Sequence, residues 1–483
     1  MLIHIVVATL VCSPIADSRL TARTAPGAAH LAAQDAGTSQ TKAKTEKKPK
    51  KAKKAKTAGD TLSPDEVVDS DVVVPGRGGD RLSWEQHPSI EFGSNFRLDF
   101  LAKLQEDAHA SYLDAKGLKD PVTGDPKVFD LHRNRVGIHG RLFKHIEFEV
   151  ERELTEKELT EREVLQGIPS RSLWKDVNIN VDYINNAQIQ VGKFKIPFGL
   201  DELTGPTHND FVYRSLGASY LAPARDIGIM VHGRFFKRGL NYWAGVFSHD
   251  GENARSKKID GADRTVAARI TSQPFRRSGL ELGTAIAISS LSNNSFRPNG
   301  LRGRTVMTQD TFFEPVYVEG QRRRWEGDLD WTMGPASVRT EFTQVLDQRN
   351  RQGFADQNLA DARARAWYLS GTWIVTGEGK TRPVKARNDF LQGGIGAVEL
   401  AARWERIWFD SVSTGTDPLR GSRAETIFTS GDRVFTLGLN WTLNRFMKLQ
   451  GNLIREHVED PDRSPVADDA PFWSRVVRLQ LVL

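Results

Sequence analysis

Apolar and polar residues alternate along most of this chain, from about residue 90 to the last residue. The alternating runs are roughly ten residues long, and turns or polar stretches separate them. Successive side chains of a β-strand point to opposite faces, so this period indicates strands rather than helices. In the run 129–142, for example, Val136 and Ile138 share one face, and Arg133 and Arg135 share the other.

Sixteen such runs can be counted, the first over 89–101, and the connections between them are short and long in turn. An even number of strands with this asymmetry is typical of a barrel that crosses an outer membrane. A soluble sandwich or propeller shows similar alternation without the regular asymmetry. The pattern predicts an all-β fold, a 16-stranded antiparallel transmembrane β-barrel. Its periplasmic connections are expected to be short turns, except for a longer one at 377–396. Long extracellular loops are expected at 102–127, 155–172, 197–225, 249–263, 290–320, 347–363, 409–431 and 457–472.

The average polarity of the chain agrees with this interpretation. Mean hydropathy is −0.45, 27% of the residues are charged, and no stretch approaches the roughly 18 apolar residues of a membrane helix. Only every second residue of a barrel strand faces lipid, so a membrane barrel stays polar on average.

The first 87 residues differ from the rest. Residues 2–11 are apolar and lead to Pro14 and Ala16, which predicts an export signal over 1–16; a merely disordered start is the alternative. The chain's one cysteine, Cys12, falls in this segment, so we expect neither disulfides nor thiolate metal sites in the exported protein.

Residues 41–56 hold nine lysines and one glutamate, a charge of +8 in a chain of net charge +6, which leaves −2 for the remainder. Such a composition cannot bury a core, and we expect a disordered Lys-rich segment over 17–87 and a barrel domain over 88–483. The lysine run fits a solvated linker better than a site for nucleic acid, anionic lipid or cell-wall polymer.

Arginines occupy the polar positions of several of the alternating runs. One arginine facing lipid at mid-membrane costs about 2–4 kcal/mol, so Arg133, Arg135 and Arg141 on one strand must face the lumen. The same reasoning turns inward a further set on other strands: Arg339, Arg403, Lys448 and Arg478.

Two explanations can account for arginines on the inner face of the barrel: they bind passing anions, or they pair with carboxylates of the wall. A guanidinium stays charged and offers a planar fork to phosphate oxygens, and a pore needs several weak sites rather than one deep site. Alternatively, these arginines pair with lumen glutamates such as Glu147, Glu149 and Glu341, and the residues alone do not favour either explanation. Catalytic motifs, a metal site and a cofactor site are not found, so we expect a protein that is not an enzyme.

Several segments also resemble the phosphate-selective porin O/P family of outer-membrane channels, over about residues 88–483. They are HRNRVGIHGRLFKHIEFEVE (132–151), VGKFKIPFGLDELT (191–204), RSLG (214–217), LAPARDIGIMVHG (221–233), YLSGTWIVTGE (368–378), GAVELAARW (396–404), TLGLNWTLN (436–444) and RLQLVL (478–483).

The resemblance implies a homotrimer that passes phosphate or related anions. It also implies that the loop FRPNGLRGR (296–304) folds inward, with Arg297 and Arg302 in the constriction. Arg133 matches a family arginine, whereas Arg135 and Arg304 have no clear counterpart, and Lys193 is a candidate for the family's central lysine.

We therefore expect an outer-membrane channel for passive diffusion of phosphate or phosphate-like anions. The anion pathway is expected to include Arg133, Arg135, Lys193, Arg297, Arg302 and Arg304. The alternative is a structural envelope barrel that anchors the Lys-rich segment to cell-wall polymer.

Overall fold

The computed structural model describes residues 81–84, 87–112, 115, 118, 128–155, 173–236, 239–252, 264–275, 278–293, 298–413 and 417–483. The expected export signal, the lysine run and Arg297 lie outside these residues. No helix among the described residues is long and apolar enough to cross a membrane.

Within the described residues the chain is almost entirely β-structure. Two short strands come first, β1 (Arg81–Trp84) and β2 (Pro88–Phe92), and another pair, β12 (Gly303–Arg304) and β13 (Thr311–Phe313), forms a separate small sheet. The barrel wall consists of β3 (Phe96–Ala110), β4 (Phe129–Leu142), β5 (Ile146–Glu153), β6 (Trp174–Ile184), β7 (Ala187–Lys195), β8 (Arg225–Phe235), β9 (Leu240–Phe247), β10 (Thr265–Ser272), β11 (Leu280–Leu291), β14 (Gly320–Met333), β15 (Ala336–Arg349), β16 (Leu359–Ile374), β17 (Ala397–Ser411), β18 (Ser430–Thr442), β19 (Met447–Val458) and β20 (Phe472–Val482).

Helical structure in the described residues is confined to the connections. Two short α-helices are present, α1 (Leu200–Leu203) and α2 (Leu216–Tyr220). Single turns of 3-10 helix occur at Phe354–Asp356, Phe390–Gln392, Pro461–Arg463 and Ala467–Asp469.

The sixteen wall strands form a closed antiparallel barrel, as predicted. Each strand pairs with the next along the chain, and β20 returns to β3 with the register from Arg475↔Ala110 to Val482↔Lys103. Closure satisfies every strand edge, which a sheet in lipid requires because no water is available for unpaired amide groups.

The two faces of the wall follow the alternation. On β8 the outward residues Ile227 and Ile229 are exposed, whereas Met230 and His232 point inward and are buried. The outer surface also carries exposed tryptophans such as Trp404. Over the middle of its height the barrel therefore presents an apolar, aromatic surface to lipid and keeps its polar groups inside.

The first predicted strand, 89–101, is wrong as a single element. Gly93 has φ 58° and begins a turn that separates β2 from β3, and Phe92 pairs directly with Phe96 across the turn. Cross-strand partners point to the same side of a sheet, so the alternation continues through the hairpin without a visible break. β2 pairs with the first residues of β3, next to the segment of β3 that pairs with β20.

The seam between the first and last wall strands contains a buried ion pair. Arg478 on β20 donates to both carboxylate oxygens of Asp107 on β3, at 2.6 Å each, and the two side chains are 2% and 1% exposed. Removing one member of such a pair leaves an uncompensated charge in a site that water does not reach.

We expect Asp107→Asn to lower the free energy of unfolding by on the order of 3 kcal/mol, since breaking a buried pair costs about that much. Urea unfolding of the detergent-solubilised barrel, followed by tryptophan fluorescence, measures the change. Asp462→Asn is the control, because Asp462 pairs with Arg420 while 72% exposed. Equal losses in the two variants would contradict the importance of the seam pair.

Candidate functional site in the barrel lumen

Residues 196–224, here called the first inner segment, leave the wall between β7 and β8 and cross the lumen. The Ile196 amide donates to the Ala224 carbonyl at 2.8 Å, which closes the base of the segment. Farther along, the Val212 amide donates to Asn452 on β19 at 2.8 Å. Because β19 lies across the barrel from β7, the segment divides the lumen.

Four inward cations predicted from the alternation hold this segment. Arg403 donates to the Tyr213 carbonyl, Arg478 to the Val212 carbonyl and Lys448 to the Asn209 carbonyl. The fourth, Arg339, donates to the hydroxyl of Thr204; the four distances lie between 2.8 and 3.1 Å. The prediction that these side chains face the lumen is confirmed. Within the segment their partners are main-chain and hydroxyl oxygens, and Arg339, Arg403 and Arg478 also pair with carboxylates of the wall.

The described part of the loop expected to fold inward, residues 298–304, does so. Residues 301–313, here called the second inner segment, bring Leu301, Met307 and Phe312 into one buried apolar cluster with Leu216 and Tyr220 of the first inner segment. The Val306 amide of this segment donates to Glu456 on β19 at 2.6 Å. The sequence did not predict that residues 196–224 would also lie inside.

A third connection reaches the lumen from the other end of the barrel. Lys380, between β16 and β17, is fully buried and forms ion pairs with Asp210 of the first inner segment, at 2.5 Å, and with Glu399 on β17. Burial alone would raise the pKa of the Asp210 carboxyl, but Lys380 and Arg382 together hold that pKa below its usual value. Asp210 is therefore ionised, and the pair ties the first inner segment to the wall.

Two of the arginines predicted to face the lumen from β4 have fixed acidic partners. Arg135 donates to Glu151 at 2.8 Å and to Glu153 at 2.9 Å. Arg141 donates to Glu147 at 2.6 Å. For these two side chains the pairing explanation offered by the sequence is sufficient.

Arg133 on the same strand differs. It donates to the neutral amide oxygen of Gln105, its Nε has no hydrogen-bond partner, and no carboxylate of the described residues lies within ion-pair distance. Arg135, Arg214 and Arg478 act on it electrostatically, and each of these three has an acidic partner of its own. Glu153, which pairs with Arg135, also acts on Arg133 electrostatically. A half-buried guanidinium without an ion-pair partner of its own therefore lies within a cluster of arginines.

Arg302 and Arg304 form another group, on the second inner segment. Both are half-buried and act electrostatically on the hydroxyl of Tyr220 at the end of α2. Burial raises the pKa of Tyr220 to about 12, and the two arginines partly oppose the rise. These cations thus lie where the two inner segments meet.

Lys193 does not reach the lumen. On β7 it shares the parity of Ile189 and Val191, whose side chains are exposed on the outer surface. Its ammonium group donates to the Trp174 carbonyl at 2.7 Å and to Glu252. We therefore leave Lys193 out of the candidate site.

The lumen residues that sequence reasoning missed lie on connections rather than strands. Arg214 donates to the carbonyls of Asp201 and Thr204 within the first inner segment, and Arg382 pairs with Asp330 on β14. Apolar and polar residues do not alternate in these connections. The sequence pattern therefore could not predict that they point into the lumen.

The solved structures that resemble this chain are distant from it in sequence. A search of curated proteins found no match. Solved structures with similar folds include outer-membrane expressed OmpT of Vibrio cholerae (10% identity, 81% of this chain and 99% of that chain, TM-score 0.49). Others are an anion-selective porin from Comamonas acidovorans (13%, 80% and 100%, 0.44) and the outer membrane channel DcaP of Acinetobacter baumannii (8%, 80% and 98%, 0.46).

The sequence itself gives the stronger result. Residues 103–483 match the family described as phosphate-selective porin O and P, which is most of the chain and includes all wall strands except the start of β3. The chain therefore belongs to the phosphate-selective porin O and P family and is a β-barrel of the outer membrane.

Proposed function

We propose that the protein is a channel for passive diffusion of phosphate or phosphate-like anions, without enzymatic activity. The proposed pathway contains Arg302 and Arg304 between the inner segments and Arg133 on β4. Arg135 lies at the next inward position of β4 and borders the pathway, but Glu151 and Glu153 compensate its charge. Arg297 is included from the family resemblance. The observation that carries the proposal is that Arg133 has no ion-pair partner of its own among the described residues.

Excess charge decides whether a lumen attracts anions. A paired arginine presents little net field, because its carboxylate partner cancels most of its charge over short distances. Arg133 has no such partner, and the arginines around it are already satisfied. A passing anion would therefore supply the missing partner of Arg133 without displacing a carboxylate.

The separation into two groups of arginines also supports diffusion rather than capture. An ion that binds several weak sites in series enters and leaves readily, whereas one deep site would trap it. Arginine suits such sites because its charge does not change across the physiological pH range.

We expect Arg133→Gln to raise the phosphate concentration that half-blocks chloride current by about tenfold. One hydrogen bond to a charged group contributes about 1.5 kcal/mol, which corresponds to that factor. Single-channel recording in planar bilayers measures the block. Arg152→Gln is the control, because Arg152 is exposed on the outer surface, 5.0 Å from the Trp174 ring.

Equal phosphate block in the wild type and the Arg133 variant would remove Arg133 from the pathway. If the wild type itself shows no preference for anions, the proposed function is wrong, and the envelope-anchor alternative becomes the better hypothesis.

We expect replacement of both Arg302 and Arg304 by glutamate to weaken or reverse anion selectivity, because the charge between the inner segments changes by four. The reversal potential in a potassium chloride gradient reports the permeability ratio. The matched double variant R152E/R351E changes the same charge at two exposed residues outside the inner segments and should keep the wild-type ratio. An unchanged ratio in the Arg302 and Arg304 variant would exclude the second inner segment from the constriction.

The homotrimer implied by the family resemblance stays a prediction. Chemical cross-linking of the detergent-solubilised barrel tests it, and a single monomer band at saturating reagent would contradict it.

A further inference from the structure

The outer surface of four consecutive strands carries arginines close to one rim of the barrel. Outward positions farther from this rim are apolar, for example Leu369, Leu400, Leu437 and Leu453. Near the rim the same outward rows are occupied by arginines, here called the rim arginine patch: Arg363 and Arg365 on β16, Arg406 on β17, Arg433 on β18 and Arg455 on β19.

Carboxylates neutralise only part of the patch. Arg363 and Arg365 share Asp410, at 2.8 and 2.6 Å. Arg406 and Arg433 are direct cross-strand partners and share Glu459, at 2.9 and 2.6 Å.

Arg455 has no carboxylate within ion-pair distance among the described residues; its direct strand neighbours are Phe435 and Trp473. The five arginines thus have two carboxylates as ion-pair partners. Asp361 follows in the same outward row of β16, so a net charge of +2 remains. Like charges on adjacent strands are unfavourable unless something else compensates them.

Aromatic rings fix the depth of the patch. The guanidinium groups of Arg365 and Arg406 each lie 4.7 Å from the centre of the Trp408 ring. Trp473, another outward residue of the same rows, is 48% exposed. Tryptophan concentrates at the boundary between hydrocarbon and headgroups, where outward arginines are tolerated. The patch therefore lies at the level of lipid headgroups.

The rim in question is the one that carries the long connections. β16 follows residues 350–358, β17 leads into 412–429, and β19 leads into 459–471, whereas the opposite ends of β18 and β19 are joined by the short turn 443–446. In outer-membrane barrels long loops are extracellular. The patch consequently meets the outer leaflet.

We propose that the rim arginine patch binds the phosphorylated headgroup of an outer-leaflet lipid. Guanidinium groups bind phosphate oxygens in pairs, and clusters of arginines at a membrane boundary attract anionic headgroups. Neighbouring strands are about 4.8 Å apart, so β16 to β19 span about 14 Å, enough for a headgroup with more than one phosphate. A second copy of the chain in the same place would oppose cation to cation.

The location of the patch favours a lipid over a soluble anion. Its arginines face outward, directly above exposed apolar side chains such as Leu437, so a ligand that contacts both surfaces carries phosphate and acyl chains. None of these arginines lines the lumen, and the proposal does not depend on what the channel conducts.

The test uses the purified full-length barrel with lipid A, a bisphosphorylated lipid, as the probe. We expect lipid A to bind the wild type in mixed micelles and the double variant R433Q/R455Q to bind about 100-fold more weakly, with about tenfold for each charged contact. Native mass spectrometry counts retained lipid. The control R152Q/R445Q removes two arginines elsewhere on the exposed surface and should bind as the wild type does.

Three comparisons decide between ligands. Equal affinity of wild type and R433Q/R455Q overturns the proposal, and so does equal binding of lipid A from which both phosphates have been removed. Inorganic phosphate that displaces lipid A at equal concentration would identify the surface as a site for soluble anions and overturn the lipid assignment.

Two further measurements guard against a folding defect. R433K/R455K keeps the charge and loses the planar fork, and we expect it to bind with intermediate affinity. The anion selectivity of R433Q/R455Q should equal that of the wild type, which confirms a folded barrel and separates this proposal from the proposed channel function.

Discussion

The structure depends on one constraint, that every backbone amide within the lipid must have a hydrogen-bond partner in the protein. A closed ring of sixteen strands satisfies it, with β20 paired to β3 at the seam. Closure then gives each strand one face toward lipid and one toward the lumen. The inward cations follow from this, because a charged side chain on the outer face at mid-membrane would lie in hydrocarbon.

Cations on the inner face need hydrogen-bond or ion-pair partners. These partners determine how much positive charge remains in the lumen to attract anions. Most of the described lumen arginines considered above are held by carboxylates, as Arg135 and Arg478 are, or by main-chain carbonyls, as Arg403 is. Arginine content alone is therefore a poor guide to selectivity. The small excess that stays uncompensated, with Arg133 as its clearest member, matters more than the total.

The sequence predicted what alternation controls and missed what it does not. Strand number, closure and the inward direction of Arg339 and Lys448 follow from period-two patterning. The β2–β3 hairpin was not predicted because Phe92 and Phe96 lie on the same face, so the alternation continues across the turn. The path of residues 196–224 depends on contacts with wall residues more than two hundred positions away, such as Asn452, and no local pattern encodes them.

The anchoring of the first inner segment has a consequence for the current that the channel carries. Lys380 binds the segment through Asp210 at one end of the barrel. Arg403, Lys448 and Arg478 donate hydrogen bonds to its main-chain carbonyls from the wall. A segment held at so many points has little freedom to move, so the lumen beside it has little freedom to change its width. The open-channel current should therefore show little noise, and that noise should come from the passage of ions rather than from movement of the chain.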